Sequence, residues 1–188
     1  YFNDNFQALP KDGYTKMVQN MLDHDHIQVN LNNNFERGME NNFDHSFLCI
    51  PIDNYFEYKY GKLPYRSILF ENKFEENYAQ LAPVINFTDE SKYTRKTQWT
   101  LFPNCPKNLS KYNTITYEIP CSMDINPNEY YYPINTTESN QTFNKYKSLS
   151  KRIENVSFCG RSGLFRYIDM IPAVQIHLEI AYKFIKSF

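Results

Sequence analysis

Glycine is scarce in this 188-residue chain: there are 5, against 16 tyrosines and 15 phenylalanines. A loop that cradles a phosphate with its backbone needs glycine where main chain and ligand come close. Gly13, Gly38, Gly61, Gly160 and Gly163 have no spacing that makes G-x-G-x-x-G or G-x-x-x-x-G-K-[ST]. A self-contained dinucleotide-binding or P-loop domain is therefore excluded. Charge of one sign is missing too. Twenty Lys and Arg against 21 Asp and Glu leave a formal net charge of -1, so there is no basic field to collect nucleic-acid phosphates. Long apolar runs are also absent: the stretch from Ile171 to Ile185 is broken by Gln175, His177, Glu179 and Lys183. That pattern excludes membrane insertion by a helix and predicts a soluble protein.

Cys49, Cys105, Cys121 and Cys159 lack C-x-x-C spacing. Reduced core cysteines of a cytoplasmic protein are the expected reading, ahead of disulfides or zinc. Asn-x-Ser/Thr matches occur at Asn86, Asn108, Asn135, Asn140 and Asn155, as an asparagine-rich chain produces by chance. The chain opens Tyr1-Phe2-Asn3-Asp4 without Met or a signal-like segment, which reads as a piece with sequence upstream of it.

Tyr14, Met17, Val18, Met21 and Leu22 recur at helical spacing and predict a helix after Gly13. Ile27–Leu31 reads as a short strand, and Ser46–Ile50 as a strand buried on both faces. Asp53 is placed to cap a short helix that Gly61 closes. Tyr65–Phe74, Val84–Phe87, Tyr93–Phe102 and Asn113–Ile119 are rich in aromatic and β-branched residues and predict an antiparallel sheet. A polar helix over Thr137–Lys151, a strand over Val156–Cys159, a glycine turn over Gly160–Gly163 and an amphipathic helix from Asp169 follow. The last carries Ile171, Val174, Leu178, Ala181, Tyr182 and Ile185 on one face, with Pro172 in its first turn. The fold class is α+β with α/β-like ends, read as one unit because no repeat or linker interrupts it.

Two groups suit ligand chemistry. At Phe158-Cys159-Gly160-Arg161 to Asp169-Met170, a strand, a glycine turn and a helix start form a seat for anionic or carbonyl oxygen, although ordinary βα loops share this spacing. Tyr130, Tyr131, Tyr132, Tyr167 and the run Tyr93-Thr94-Arg95 offer hydroxyl and guanidinium donors suited to a diphosphate; half-buried tyrosines on a sheet are the bland alternative. His24, His26, His45 and His177 have no metal-ligand spacing, and no pair of nucleophile and base is evident.

A set of blocks runs in order along the chain: Tyr1-Phe2-Asn3-Asp4-Asn5-Phe6-Gln7, Pro51-Ile52-Asp53, Tyr65-Arg66-Ser67, Val84-Ile85-Asn86-Phe87-Thr88-Asp89, Tyr93-Thr94-Arg95, Tyr131-Tyr132-Pro133-Ile134-Asn135, and Gly160-Arg161 through Tyr167 to Asp169-Met170. This set resembles the C-terminal half of the prokaryotic UDP-galactopyranose mutases. The resemblance implies an isomerase, a flavoenzyme interconverting UDP-galactopyranose and UDP-galactofuranose for polysaccharide biosynthesis, with N5 of reduced FAD as the nucleophile. It also implies a homodimer. By position, Tyr1, Arg95, Tyr132 and Tyr167 match residues that bind the substrate diphosphate, with Phe2 and Asn86 on the substrate side. Asp169 matches an acidic residue near the sugar, and Gly160, Arg161, Asp169, Met170 and Arg66 fall on the cofactor side. The resemblance makes about 62–120 the substrate-side sheet, and about 1–61 and 134–188 the pieces that complete a Rossmann-like FAD domain. The FAD fingerprint and the helical domain lie outside this chain, so that the isolated piece is expected to be inactive. The chain departs from the family pattern in two places: Cys159 replaces a glycine, and Lys96-Thr97-Gln98-Trp99 replaces an Ile-Ile-Glu-His run. The alternative reading is a non-catalytic UDP-sugar-binding or structural module.

Overall fold

A computed structural model describes residues 5–6, 8–76, 79–105 and 112–187. Its elements in chain order are α1 (Gly13–Leu22), β1 (Ser46–Leu48), α2 (Ile52–Tyr55), β2 (Tyr65–Glu76), β3 (Val84–Asn86), β4 (Arg95–Gln98), β5 (Tyr112–Ser122), β6 (Tyr132–Pro133), α3 (Thr137–Ser150), β7 (Val156–Phe158), α4 (Gly160–Leu164) and α5 (Met170–Ile185). The content is mixed α+β, with antiparallel and parallel pairing both present. The chain forms two compact units, Tyr1–Asn34 with Phe70–Ile119, and Phe35–Leu69 with Pro120–Phe188. No linker marks the division, because β2 and β5 run through it as continuous strands.

In the first unit the strand order is β3-β4-β5-β2. Antiparallel registers pair Asn86 with Arg95 across β3 and β4, and Arg95 with Glu118 across β4 and β5. The Lys96–Trp99 run that departs from the family pattern is accommodated by polar burial. Ile115 is fully buried beside Thr97, Gln98 and Thr116. The Gln98 amide donates to Thr100 at 3.1 Å and accepts from the Gln80 N–H at 2.8 Å. The Thr116 hydroxyl donates to Asn72 and accepts from the Trp99 indole, both at 2.7 Å. Such groups are tolerated inside because they are hydrogen-bonded.

The second unit pairs β1 with β7 in parallel, Ser46 to Val156 through Leu48 to Phe158, and β2 with β6 antiparallel, Arg66 opposite Tyr132. Its core gathers Leu48, Ile52, Tyr55, Phe56, Leu63, Tyr65, Tyr146, Val156 and Phe165. Tyr65 meets Phe165 edge to face at 5.4 Å, and Phe56 stacks on Tyr146 at 6.0 Å. Helix α3 begins with a capping box: the Ser139 N–H donates to the Thr136 hydroxyl at 3.1 Å and the Thr136 N–H to the Ser139 hydroxyl at 2.8 Å.

Several expectations are corrected. Ile27–Leu31 forms no strand, since its alternation has no partner strand to pair with. β1 is not buried on both faces: Phe47 is 43% exposed and packs against Phe184 at 5.2 Å. Asp53 lies inside α2 rather than capping it; Pro51 is the N-cap, and the buried Asp53 carboxylate accepts the Leu63 N–H at 2.8 Å. Gly160–Leu164 is a short helix where a turn was expected. Cys49 is exposed rather than part of the core.

Candidate functional site

In the second unit the chain leaves β7 through Cys159 in extended conformation and turns at Gly160, whose φ of +72° suits glycine. A Cβ on Gly160 would also lie 3.2 Å from the Cys49 Cβ, and one on Gly163 would lie 3.0 Å from the Leu48 carbonyl oxygen. Both glycines let α4 pack tightly on the end of β1. The helix ends at Phe165, held at φ +47° although it is not glycine, with its ring anchored in the core. The Tyr65 hydroxyl donates to the Ser162 carbonyl at 3.1 Å, tying β2 to α4, and burial holds that phenol well above its ordinary pKa.

Arg161 then folds back across the following loop. Its Nε donates to the Ile168 carbonyl at 2.7 Å and its Nη1 to the Tyr131 carbonyl at 3.3 Å. Its guanidinium lies 4.7 Å from the Tyr167 ring centre, and Nη2 is 4.0 Å from the Asp169 carboxylate. Tyr167 meets Tyr132 edge to face at 5.7 Å, and the Tyr131 N–H donates to the Arg66 carbonyl at 2.9 Å. The fold thus brings Arg66, Tyr132, Gly160, Arg161, Tyr167, Asp169 and Met170 into one neighbourhood. Asp169 is the N-cap of α5 but makes no side-chain cap bond, and Met170 is exposed. A cleft of about 670 Å³ beside α4 is lined by Phe143, Lys147, Phe165 and Arg166, and by none of Tyr132, Arg161, Tyr167 or Asp169.

The first unit holds Asn86 and Arg95. The Arg95 Nε donates to the Asn86 amide oxygen at 3.1 Å, and Nη1 lies 3.5 Å from the Glu118 carboxylate. Because these residues face one another across three strands, Arg95 is fixed from both sides while its side chain stays 42% exposed. Nearby, Tyr93 donates to Glu71 at 2.9 Å, and this bond lowers the Glu71 pKa. Tyr1 and Phe2 lie outside the described residues.

Sequence reasoning missed Glu118 and His177. The role of Glu118 depends on a register set by pairing distant in sequence. His177 carried a weak signal, as one of four polar residues, with Gln175, Glu179 and Lys183, that interrupt the apolar run of the last helix, and it accepts the Gly160 N–H at 2.7 Å. Among the described residues there is no group of three or more His, Cys, Asp or Glu suited to a metal ion, and no helix long and apolar enough to cross a membrane.

Comparison with known proteins gives these residues a context. The family model described as UDP-galactopyranose mutase matches residues 1–167. A probable UDP-galactopyranose mutase of Klebsiella pneumoniae is 32% identical over all of this chain and 48% of its own length. The dTDP-fucopyranose mutase of Escherichia coli is 30% identical over all of this chain and 51% of its own length. A UDP-galactopyranose mutase of Mycoplasma genitalium is 32% identical over 96% of the chain and 48% of its own length. The chain thus spans about half the length of the curated relatives it matches, and over that span it belongs to the UDP-galactopyranose mutase family.

Proposed function

We propose that the chain is the C-terminal part of an isomerase that interconverts UDP-galactopyranose and UDP-galactofuranose with FAD as cofactor. The observation that carries this reading is the family match over residues 1–167, whose last residue, Tyr167, belongs to the Arg161 cluster. In this reading residues 1–61 and 134–188 complete a Rossmann-like FAD domain, and about 62–120 provide the substrate-side sheet. The intact protein is a cytoplasmic homodimer, and this piece is inactive alone.

The residues present fit one end of the cofactor. Gly160 and Gly163 make no open cradle for a diphosphate, because Cys49 and the Leu48 carbonyl fill the space a Cβ would take, and the Gly160 N–H is bonded to His177. The guanidinium of Arg161, the exposed Tyr167 ring and the uncapped first turn of α5 suit the carbonyl oxygens and flat face of a flavin ring. Asp169, Met170 and the Arg66 strand flank that position. Reduced flavin, when bound, supplies the nucleophile that the side chains lack.

The chain's own work is to hold the nucleotide while the sugar rearranges. In the first unit Arg95, set by Asn86 and Glu118, offers charge-assisted hydrogen bonds to phosphate oxygens; in the second the hydroxyls of Tyr132 and Tyr167 offer neutral ones, and Tyr1 takes the same role by its position in the family pattern. Asn86 and Phe2 serve the sugar side. Loss of one charge-assisted bond costs about 1.5–3 kcal/mol, roughly ten- to a hundredfold in kcat/KM. Arg95→Ala in the full-length protein should show that loss with UDP-galactofuranose, and unchanged kinetics would remove Arg95 from the site.

A second substrate is favoured by the dTDP-fucopyranose mutase, whose identity to this chain nearly equals that of the other relatives. Product analysis with both nucleotide sugars separates the two. A protein without flavin absorbance that still binds UDP would instead establish the non-catalytic module.

A further inference from the structure

The parallel ladder of β1 and β7 pairs Ser46 with Val156, Phe47 with Ser157 and Leu48 with Phe158. One further step in the same register sets Cys49 against Cys159, and the Cys159 N–H donates to the Leu48 carbonyl at 2.9 Å. Neighbouring strands lie about 4.7–4.9 Å apart, within the window of roughly 4.4–6.8 Å between Cα atoms that a disulfide spans. The two sulfurs are 3.2 Å apart. Cys49 is exposed and Cys159 is buried.

We propose that Cys49 and Cys159 form an oxidation site, in which a low-molecular-weight disulfide converts the two thiols into an intramolecular disulfide. The Cys49 thiolate attacks one sulfur of the reagent; the reagent's S–S bond breaks, and one small thiol leaves, taking up a proton. The Cys159 sulfur then attacks the Cys49 sulfur of the mixed disulfide and expels the second small thiol, which carries away the Cys159 proton. The protein loses two electrons and two protons, and the reagent's disulfide is reduced to two thiols.

The surroundings sort the two roles. The hydrogen bond from Cys159 brings the Cys49 thiol down to about 6 against the opposing effect of burial. The same bond, together with burial, raises the Cys159 thiol. Cys49 is therefore the attacking sulfur and Cys159 the resolving one. Relative to an ordinary thiol of pKa about 8.5, the thiolate fraction at neutral pH rises roughly thirtyfold, while lower basicity cuts nucleophilicity roughly tenfold. The net rate advantage is only about two- to threefold, so the product is diagnostic and the rate is not. The bond formed would fix residue 159 against β1, directly before the Gly160 turn from which Arg161 extends. The site stands on the strand register and the 3.2 Å approach of the two sulfurs and does not depend on the proposed activity.

The test is to treat the purified full-length protein with oxidised glutathione and follow mass and peptide maps without reductant. The expected product has lost two hydrogens, retains no glutathione, and yields a peptide linking Cys49 to Cys159. Cys159→Ser should instead retain glutathione on Cys49, and Cys49→Ser should leave Cys159 as a thiol. A native protein that keeps both thiols, or that retains glutathione on Cys49 as its end product, overturns the proposal. So does a Cys49→Ser protein in which Cys159 reacts as readily as the native pair.

Discussion

Arg161→Met is the perturbation that reads the candidate site most directly, because methionine keeps the length of the stem and removes every donor. The native guanidinium makes one short bond to the Ile168 carbonyl at 2.7 Å and a longer one to the Tyr131 carbonyl at 3.3 Å. A hydrogen bond from a charged donor contributes about 1.5–3 kcal/mol, and the long bond contributes toward the low end. The stacking on Tyr167, whose ring is mostly exposed, adds about 0.5–1 kcal/mol. The contact with Asp169 at 4.0 Å is solvent-screened and adds about 0–1 kcal/mol. Ile168 is buried, so its carbonyl would lose its partner without gaining water. Taken together, and allowing for non-additivity, Arg161→Met should cost about 3 kcal/mol, or roughly 6–12 °C in melting temperature for a chain of this size. Urea unfolding supplies the free energy. A double-mutant cycle with Tyr167→Leu should return a coupling of about 0.5–1 kcal/mol. A loss under about 0.5 kcal/mol would show that the guanidinium does not clamp the loop. In the full-length protein, a stability loss without a change in flavin retention would separate the clamp from any contact with the cofactor.

Tyr146→Phe keeps a fully buried ring and removes a hydroxyl that accepts the Tyr60 N–H and donates to the Gly61 carbonyl, both at 2.8 Å. Tyr60 and Gly61 are exposed enough for water to replace part of each bond, so a cost of about 2 kcal/mol is expected in urea unfolding, with faster hydrogen exchange at the Tyr60 amide. Burial raises the Asp53 pKa above its ordinary 3.8, so its contribution to stability is complete below that value and is lost as pH rises through the folded-state pKa. Asp53→Asn retains an acceptor for the Leu63 N–H and removes the titration, which should flatten the fall in unfolding free energy as pH rises above about 4; an unaltered slope would assign the dependence to other groups. Gly160→Ala should cost about 2 kcal/mol or more from its left-handed backbone and the approach to Cys49, whereas Gly61→Ala, with open space around it, should cost only the backbone strain of about 1–2 kcal/mol. Equal losses at the two positions would show that Cys49 yields freely.

Local pattern was legible and distant pairing was not. The periodicity of Tyr14 to Leu22, the polar run from Thr137 and the apolar stripe from Ile171 each correspond to a helix. The period names a face without naming what covers it: α1 and α5 bury none of their residues among those described. The strand-like alternation of Ile27–Leu31 carried no information about a partner, and without one the segment stays irregular. Strand β6 is only Tyr132–Pro133, too short for any pattern, yet it is the register of Arg66 against Tyr132 that brings the Tyr131 carbonyl to Arg161. Arg161 and Asp169 were legible together because they are close in sequence, whereas Tyr167 groups with the other tyrosines and its contact with Arg161 comes only from the fold. Asn86, Arg95 and Glu118 meet only through two strand registers.

The scarce glycines carry the last step. Two of the five sit within four residues at Gly160 and Gly163, a spacing that invites a reading as a ligand cradle. In the folded chain their missing side chains are matched by Cys49 and by the Leu48 carbonyl, both at the end of β1. The glycines therefore serve the contact between strand and helix, and it is that contact which aims Arg161 at the Tyr167 loop. In the proposed reading phosphate recognition falls to a side chain instead, Arg95 braced by Asn86 and Glu118, while Arg161 has spent two donors on backbone carbonyls and directs Nη2 toward Asp169. A guanidinium held at fixed points loses less entropy on binding than a free one, so in that reading the neighbours that hold each arginine contribute to the affinity of its own contact.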